Sequence, residues 1–254
     1  MRKLSAGILF SVLLLLFSLS ARGDESISPA AWGGIGSFRA IQFVPGDSLP
    51  EDRVFYGDSR GYLHILKRQH KGFSEEWESD HLGAGIMGVF VRDINADGKL
   101  ELVTYTSVGR IFIFTPQTNT LLWQNNENEF SAITCMTLAN VDDDPHQELI
   151  FCADSHLFIY DGKSLFQEWR SQAEFKAQEI LVGDVDGDGE KEIVLNTGWV
   201  FDAQFRDIEW QSPEPFGDRI TLLDMDNDGI PELIGEFGGH FLKVFDLDLK
   251  RERW

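Results

Sequence analysis

Positive charge is scarce in this 254-residue chain: 22 Lys and Arg stand against 42 Asp and Glu, for a formal net charge of -20. An expected leader would carry off Arg2, Lys3 and Arg22, leaving 19 basic residues and a balance of -23. Such a surface repels nucleic acid and anionic lipid and attracts cations, so nucleic-acid binding is excluded. Cysteine is limited to Cys135 and Cys152, too few for a disulfide-built scaffold. Beyond the N-terminus no apolar run is long enough to span a bilayer. Catalytic signatures are missing too: there is no G-x-S-x-G, no H-E-x-x-H and no cysteine with a matching histidine. Of the histidines, His64, His70 and His81 show no partner in the sequence, and His156 and His240 share a register position that argues for a structural place.

The N-terminus reads MRKLSAGILFSVLLLLFSLSARGDES, a basic start, an apolar run and then small residues. That order predicts a secretory signal peptide over 1–23 and an exported mature chain from Asp24, secreted, periplasmic or held at the cell surface. The 231 residues that remain suffice for one large domain or two small ones.

What the chain has in abundance is one sentence rewritten. VGDVDGDGEKEIVL, at 182–195, sets carboxylates at alternate positions and then turns apolar. The same frame begins at Asp93, Asn140, Asp184 and Asp224, at separations of 47, 44 and 40 residues. Short β-type runs flank each loop: Ile86–Val91, Ile133–Ala139, Ile180–Val182 and Ile220–Leu223 before it, and apolar residues from Leu102, Leu149, Ile193 and Leu233 after it. A third run follows, as at 110–114 and 156–160, and a fourth closes on Trp123, Trp169, Trp210 or Trp254. An earlier copy, ending at Trp77, has lost its loop: Asp52 replaces the last Glu, but Val44, Gly46 and Ser48 stand where acidic residues belong. Four-strand units of this period predict an all-β protein, a β-propeller of about five blades near 37–80, 84–127, 130–171, 176–212 and 217–254. The tryptophans are expected to pack between blades. Residues 24–36, with Trp32, are free to add a strand. An open arc completed by a partner or by self-association is the alternative to a closed ring.

Carboxylates at positions 1, 3 and 5 of a tight loop point to one centre, and a hard divalent cation offsets their repulsion. Position 7 would add a backbone carbonyl and the Glu at position 9 a last carboxylate, while Gly at position 6 permits the bend. An EF-hand is excluded, because position 12 is Thr104, Phe151, Leu195 or Gly235 instead of Glu and the flanks are strands.

DINADGKLELV, DVDGDGEKEIV and DMDNDGIPELI resemble the calcium loops of FG-GAP and VCBS repeats, which also occur in integrin α-subunits. The resemblance runs from about Ser37 to Trp254, although the F-G…G-A-P signature is absent and Glu replaces the frequent Asp at position 9. It implies three to four Ca2+ ions, mainly structural. The first site would use Asp93, Asn95, Asp97, the carbonyl of Lys99, and Glu101. The second would use Asn140, Asp142, Asp144, the carbonyl of His146, and Glu148, with Pro145 in place of the turn glycine making it the weakest. The third would use Asp184, Asp186, Asp188, the carbonyl of Glu190, and Glu192; the fourth, Asp224, Asp226, Asp228, the carbonyl of Ile230, and Glu232. The resemblance further implies a non-catalytic binding or adhesion module for a protein or glycan. The competing expectation is a polysaccharide lyase or hydrolase, or its accessory subunit, on the same scaffold. Loops 125–130 and 213–217 are candidate ligand loops.

Cys135 and Cys152 straddle the midpoint of a hairpin folded between Asp143 and Asp144. A disulfide and a pair of buried thiols both fit that register.

Overall fold

The computed structural model describes residues 37, 39–46, 48, 49 and 51–253. The expected leader, the 24–36 segment and Trp254 lie outside these residues. Every regular element described is a β-strand. They form five antiparallel sheets, each an uninterrupted four-strand meander in chain order. The first comprises β1 (Ile41–Val44), β2 (Arg53–Gly57), β3 (Leu63–Gln69) and β4 (Gly72–Glu78), and the second β5 (Ile86–Arg92), β6 (Glu101–Thr106), β7 (Ile111–Thr115) and β8 (Thr120–Gln124). The third holds β9 (Ile133–Ala139), β10 (Glu148–Ala153), β11 (His156–Tyr160) and β12 (Gln167–Arg170). The fourth holds β13 (Ile180–Gly183), β14 (Glu192–Leu195), β15 (Trp199–Asp202) and β16 (Ile208–Gln211), and the fifth β17 (Arg219–Leu223), β18 (Glu232–Phe237), β19 (Phe241–Asp246) and β20 (Arg251–Glu252).

The chain divides into two compact units. One contains the described residues up to Arg92 together with Leu100–Glu129, hence the first two sheets. The other contains Asp93–Lys99 and the residues from Phe130 on, hence the last three sheets and the first acidic loop.

Burial explains why the middle strands read as continuous apolar runs. Every residue of β2, β6, β10 and β14 is buried, since these strands are covered on both faces and need no alternation. The fourth strands are the least covered: β8 and β12 are mostly exposed and β16 is half exposed. In the first unit β1 lies against β5: Val89 N–H donates to Arg39 O (2.9 Å), and the Gln42 amide takes the Val91 N–H (2.8 Å) and donates to its carbonyl (3.2 Å).

Two of the tryptophans pack as the repeat predicts. Trp77 meets Phe114 of the next sheet edge-on at 5.8 Å, and Trp210 meets Phe216 at 5.5 Å. Their immediate neighbourhood holds two recurring devices that the sequence alone did not show. A β-bulge precedes the tryptophan in each of β4, β8, β12 and β16, leaving Glu76, Leu122, Glu168 and Glu209 as the extra residue. Two residues after it, the buried side chains of Ser79, Asn125 and Ser171 accept the N–H of Leu63, Ile111 and Leu157, satisfying the start of the third strand.

Cys135 and Cys152 face one another across β9 and β10, as the midpoint argument requires, and both are buried free thiols. Loops 125–130 and 213–217 are anchored by the buried side chains of Asn125, Phe130 and Phe216, while residues 126–129 and 213–215 between or before these anchors are exposed.

Gly235 lies in β18 directly under Phe216, and a Cβ there would collide with the Phe216 backbone oxygen. Neither side can yield cheaply, because both are main chain. Gly235→Ala is expected to cost about 1–3 kcal/mol or more in urea unfolding.

Candidate metal centre

The acidic segments occupy the turn between the first and second strands of their sheets. Their backbones bend where the sequence allows it. Position 4 has positive φ in Ala96 (55°), Gly187 (81°) and Asn227 (62°), and position 6 in Gly98 (85°), Gly189 (94°) and Gly229 (99°). Two left-handed residues per loop fold it back on itself, and glycine takes the second without strain.

The position 1 carboxylate organises this turn. Asp184 accepts the N–H groups of Gly187 (2.7 Å) and Gly189 (3.2 Å), and Asp224 accepts those of Asn227 (2.7 Å) and Gly229 (3.1 Å). Asp93 takes the N–H of Asp97 (3.1 Å) and Gly98 (2.8 Å). Position 5 accepts from position 7 in all four loops: Lys99 to Asp97 (2.8 Å), His146 to Asp144 (2.7 Å), Glu190 to Asp188 (2.8 Å) and Ile230 to Asp228 (2.9 Å). Position 9 opens the second strand, buried beneath the loop, and takes the N–H of position 2: Val141 to Glu148 (2.7 Å), Val185 to Glu192 (2.7 Å) and Met225 to Glu232 (2.8 Å). Glu101 is likewise buried at the start of β6.

Convergence follows from this frame. One carboxylate oxygen from each of Asp184, Asp186 and Glu192 lies within 4.8 Å of the other two, and the same holds for Asp224, Asp226 and Glu232, and for Asp142, Asp144 and Glu148. The loops differ in what compensates the charge. Arg253 pairs with Asp226 (2.7 Å) and with Glu232, setting a guanidinium among the fourth loop's carboxylates. Lys99 approaches Asp97 in the first loop (3.3 Å). In the second, the His146 ring lies 2.8 Å from Asp144 and 3.4 Å from Asp161. Among the described residues, no basic side chain forms an ion pair with Asp184, Asp186, Asp188 or Glu192.

The electrostatics report the same imbalance. Burial, reinforced by Asp186, Glu209 and Asp188, pushes the Glu192 carboxyl up to about 8. Burial, with Asp142 and Glu168 adding to it, raises Glu148 to about 7. Asp226 moves the other way because Arg253 hydrogen-bonds its charged form. The all-oxygen donor set of the third loop therefore fits a hard divalent cation, and Asp184, Asp186, Asp188 and Glu192 would hold it.

The second loop departs from the pattern. Pro145 fills position 6, Asp143 is not left-handed, and Asn140 turns its amide to donate to the Asp144 carbonyl. In the first sheet, Asp52 binds the Gly46 N–H (2.8 Å) and Arg68 (2.6 Å), so that turn is closed by a guanidinium. Arg253 and Arg68 were not legible as loop partners: Arg253 lies just past β20, and Arg68 sits on β3. Glu168 and Glu209, the bulged residues of β12 and β16, were not legible either. His156 packs locally, with Nδ1 3.0 Å from the Asp154 carbonyl.

No protein-family model matches this chain, and no curated protein matches it. Solved structures do. It is similar to BBS1N in its complex with ARL6DN, at 14% identity and a TM-score of 0.60 over 87% of this chain and 69% of that one. It is also similar to the V. cholerae biofilm matrix protein Bap1 (18% identity, TM-score 0.56, 80% of this chain and 35% of that one). A third is Saccharomyces cerevisiae Sqt1 (13%, 0.58, 80% and 57%). The fold is a β-propeller. At these identities the likeness extends to the fold alone, and the chain spans about a third of Bap1 and little more than half of Sqt1.

The raised carboxyls give a pH dependence with a definite sign. A folded-state value above the unfolded one, near 4.5, means stability that is full at low pH and lost as pH rises through about 7 to 8. In chelator, the melting temperature is expected to fall from pH 5 to pH 8, and Glu192→Gln to flatten most of that slope. A melting temperature that rises over this range would contradict the assignment.

Proposed function

We propose that the protein is an exported, calcium-stabilised propeller of the FG-GAP/VCBS type that presents a non-catalytic binding surface to a protein or a glycan. The observation that carries the reading is the third loop: three carboxylates on a hydrogen-bonded turn, with Glu192 buried beneath them and, among the described residues, no basic side chain paired to any of the four. Calcium tolerates the irregular six-to-eight oxygen coordination that such a turn offers, and hard-ion chemistry suits a set without nitrogen or sulfur. The ion would be structural, neutralising the loop and fixing the hairpin. The fourth loop would release Arg253 on taking calcium, and the second would bind it least well.

Support for a binding role comes from what the strands leave outside. Phe166 and Phe205, each in the turn between the third and fourth strands of its sheet, are 76% and 71% exposed. Exposed aromatic rings of this size are anchors that a partner can bury. BBS1N, which shares the fold, was solved in complex with another protein. Export rests on the order of residues at the N-terminus.

Thermal unfolding in EDTA and in millimolar calcium, with the metal content of the purified protein, tests the calcium reading. Each site filled at about 100 times its dissociation constant adds roughly 2.7 kcal/mol. A clear rise in melting temperature with about three bound ions is expected, and Asp186→Asn should remove one ion and most of the rise contributed by its loop. No metal and no shift would reject calcium while leaving the fold untouched.

A further inference from the structure

The first sheet, whose acidic loop has decayed, carries a cluster of another kind. His64 is 1% exposed and stands in register between Tyr56 on β2 and Glu78 on β4. The bulge at Glu76 brings Glu75 onto the same face as Glu78. Tyr56 lies flat on the imidazole, with centroids 4.5 Å apart and planes at 8°. Nδ1 of His64 is 2.7 Å from Glu75 Oε1 and 3.6 Å from Glu78 Oε2. Its Nε2 has no hydrogen-bond partner among the described residues and faces Oδ2 of the fully buried Asp58 at 3.7 Å. Asp58 is held by Arg60 Nε (2.8 Å) and by the N–H groups of Arg60 and Tyr62 (2.9 Å each). The sequence showed no partner for His64; the sheet supplies three carboxylates.

A neutral imidazole has one N–H and one lone pair. Whichever nitrogen holds the proton, the other turns its lone pair toward a carboxylate. Three carboxylates also outnumber the single guanidinium of Arg60, leaving two negative charges around an almost wholly buried ring, and uncompensated charge next to buried groups is costly. A divalent cation at Nδ1 removes both conflicts. It takes the Nδ1 lone pair and the oxygens of Glu75 and Glu78, leaves the proton on Nε2 facing Asp58, and brings the local charge to zero. A ligating histidine whose other nitrogen is oriented by a carboxylate is the usual support of such a centre. The carboxylates of Glu75 and Glu78 are 32% and 48% exposed, so an ion can enter from solvent and keep a water ligand.

We propose that His64, Glu75 and Glu78 form a divalent-cation site, matched to zinc by its mixed nitrogen and oxygen donors and separate from the oxygen-only loops. Calcium, which takes oxygen ligands, is excluded from it by the imidazole.

The test is a zinc titration of the purified protein in saturating calcium at neutral pH, followed through the ring nitrogens of His64 by long-range proton–nitrogen NMR. With zinc bound, a ring protonated on Nε2 alone is expected, with an Nδ1 resonance that moves with zinc and then saturates. Glu78→Gln, at a half-exposed position, should weaken this binding about tenfold or more, and Asp186→Asn should leave it unchanged. A ring protonated on both nitrogens and unmoved by zinc would overturn the proposal, because a proton would then supply the missing charge. Zinc uptake that leaves the His64 nitrogens unmoved, or equal affinity in Glu78→Gln, would overturn it as well. Because the loops are filled with calcium throughout, this outcome is independent of theirs.

Discussion

One hydrogen bond recurs beneath the acidic turns of the third, fourth and fifth sheets and sets the conditions for the rest. The carboxylate that opens the second strand, Glu148, Glu192 or Glu232, takes the N–H of position 2 at 2.7–2.8 Å. That bond closes the base of the turn where the second strand begins. It also places a carboxylate under a loop that already carries two or three others. The geometry that makes the hairpin precise therefore makes it electrostatically expensive.

The sheets answer that expense in different ways. The first has shed its acidic loop and closes the turn with Arg68, the fifth folds Arg253 over Asp226 and Glu232, and the third uses Pro145 and sets His146 beside Asp144. The fourth keeps the full complement and no basic partner, and it is there that the buried carboxyl is displaced furthest. One backbone pattern thus accommodates a guanidinium, an imidazole or no basic partner among the described residues, and the choice is written in a few side chains.

The parts legible in the sequence were those with a period. The repeat spacing, the strand runs, the tryptophans, the turn glycines and the facing positions of Cys135 and Cys152 follow from local patterns that hairpins convert directly into register. What stayed hidden depends on a break in register or on distance along the chain. Because a bulge displaces Glu76, Glu75 and Glu78 share a face with His64, whereas strict alternation would put Glu75 on the opposite one. Arg253 reaches Asp226 and Glu232 from just past β20, where no spacing rule joins them, whereas Arg68 lies directly across the β2–β3 hairpin from Asp52. The anchoring of the 125–130 and 213–217 segments by Asn125, Phe130 and Phe216 was equally hidden, because it depends on burial that spacing does not report.

Each sheet is made from one continuous stretch of chain, with every strand paired to its sequence neighbour. Most native pairings are therefore short in sequence separation, and the loop-closure entropy spent on each is small. Successive sheets can form in the order in which they are synthesised, each gaining most of its hydrogen bonds before the next emerges. Folding of this kind accumulates unit by unit, as in other repeat proteins, and leaves the contacts between neighbouring sheets as the late, stabilising step.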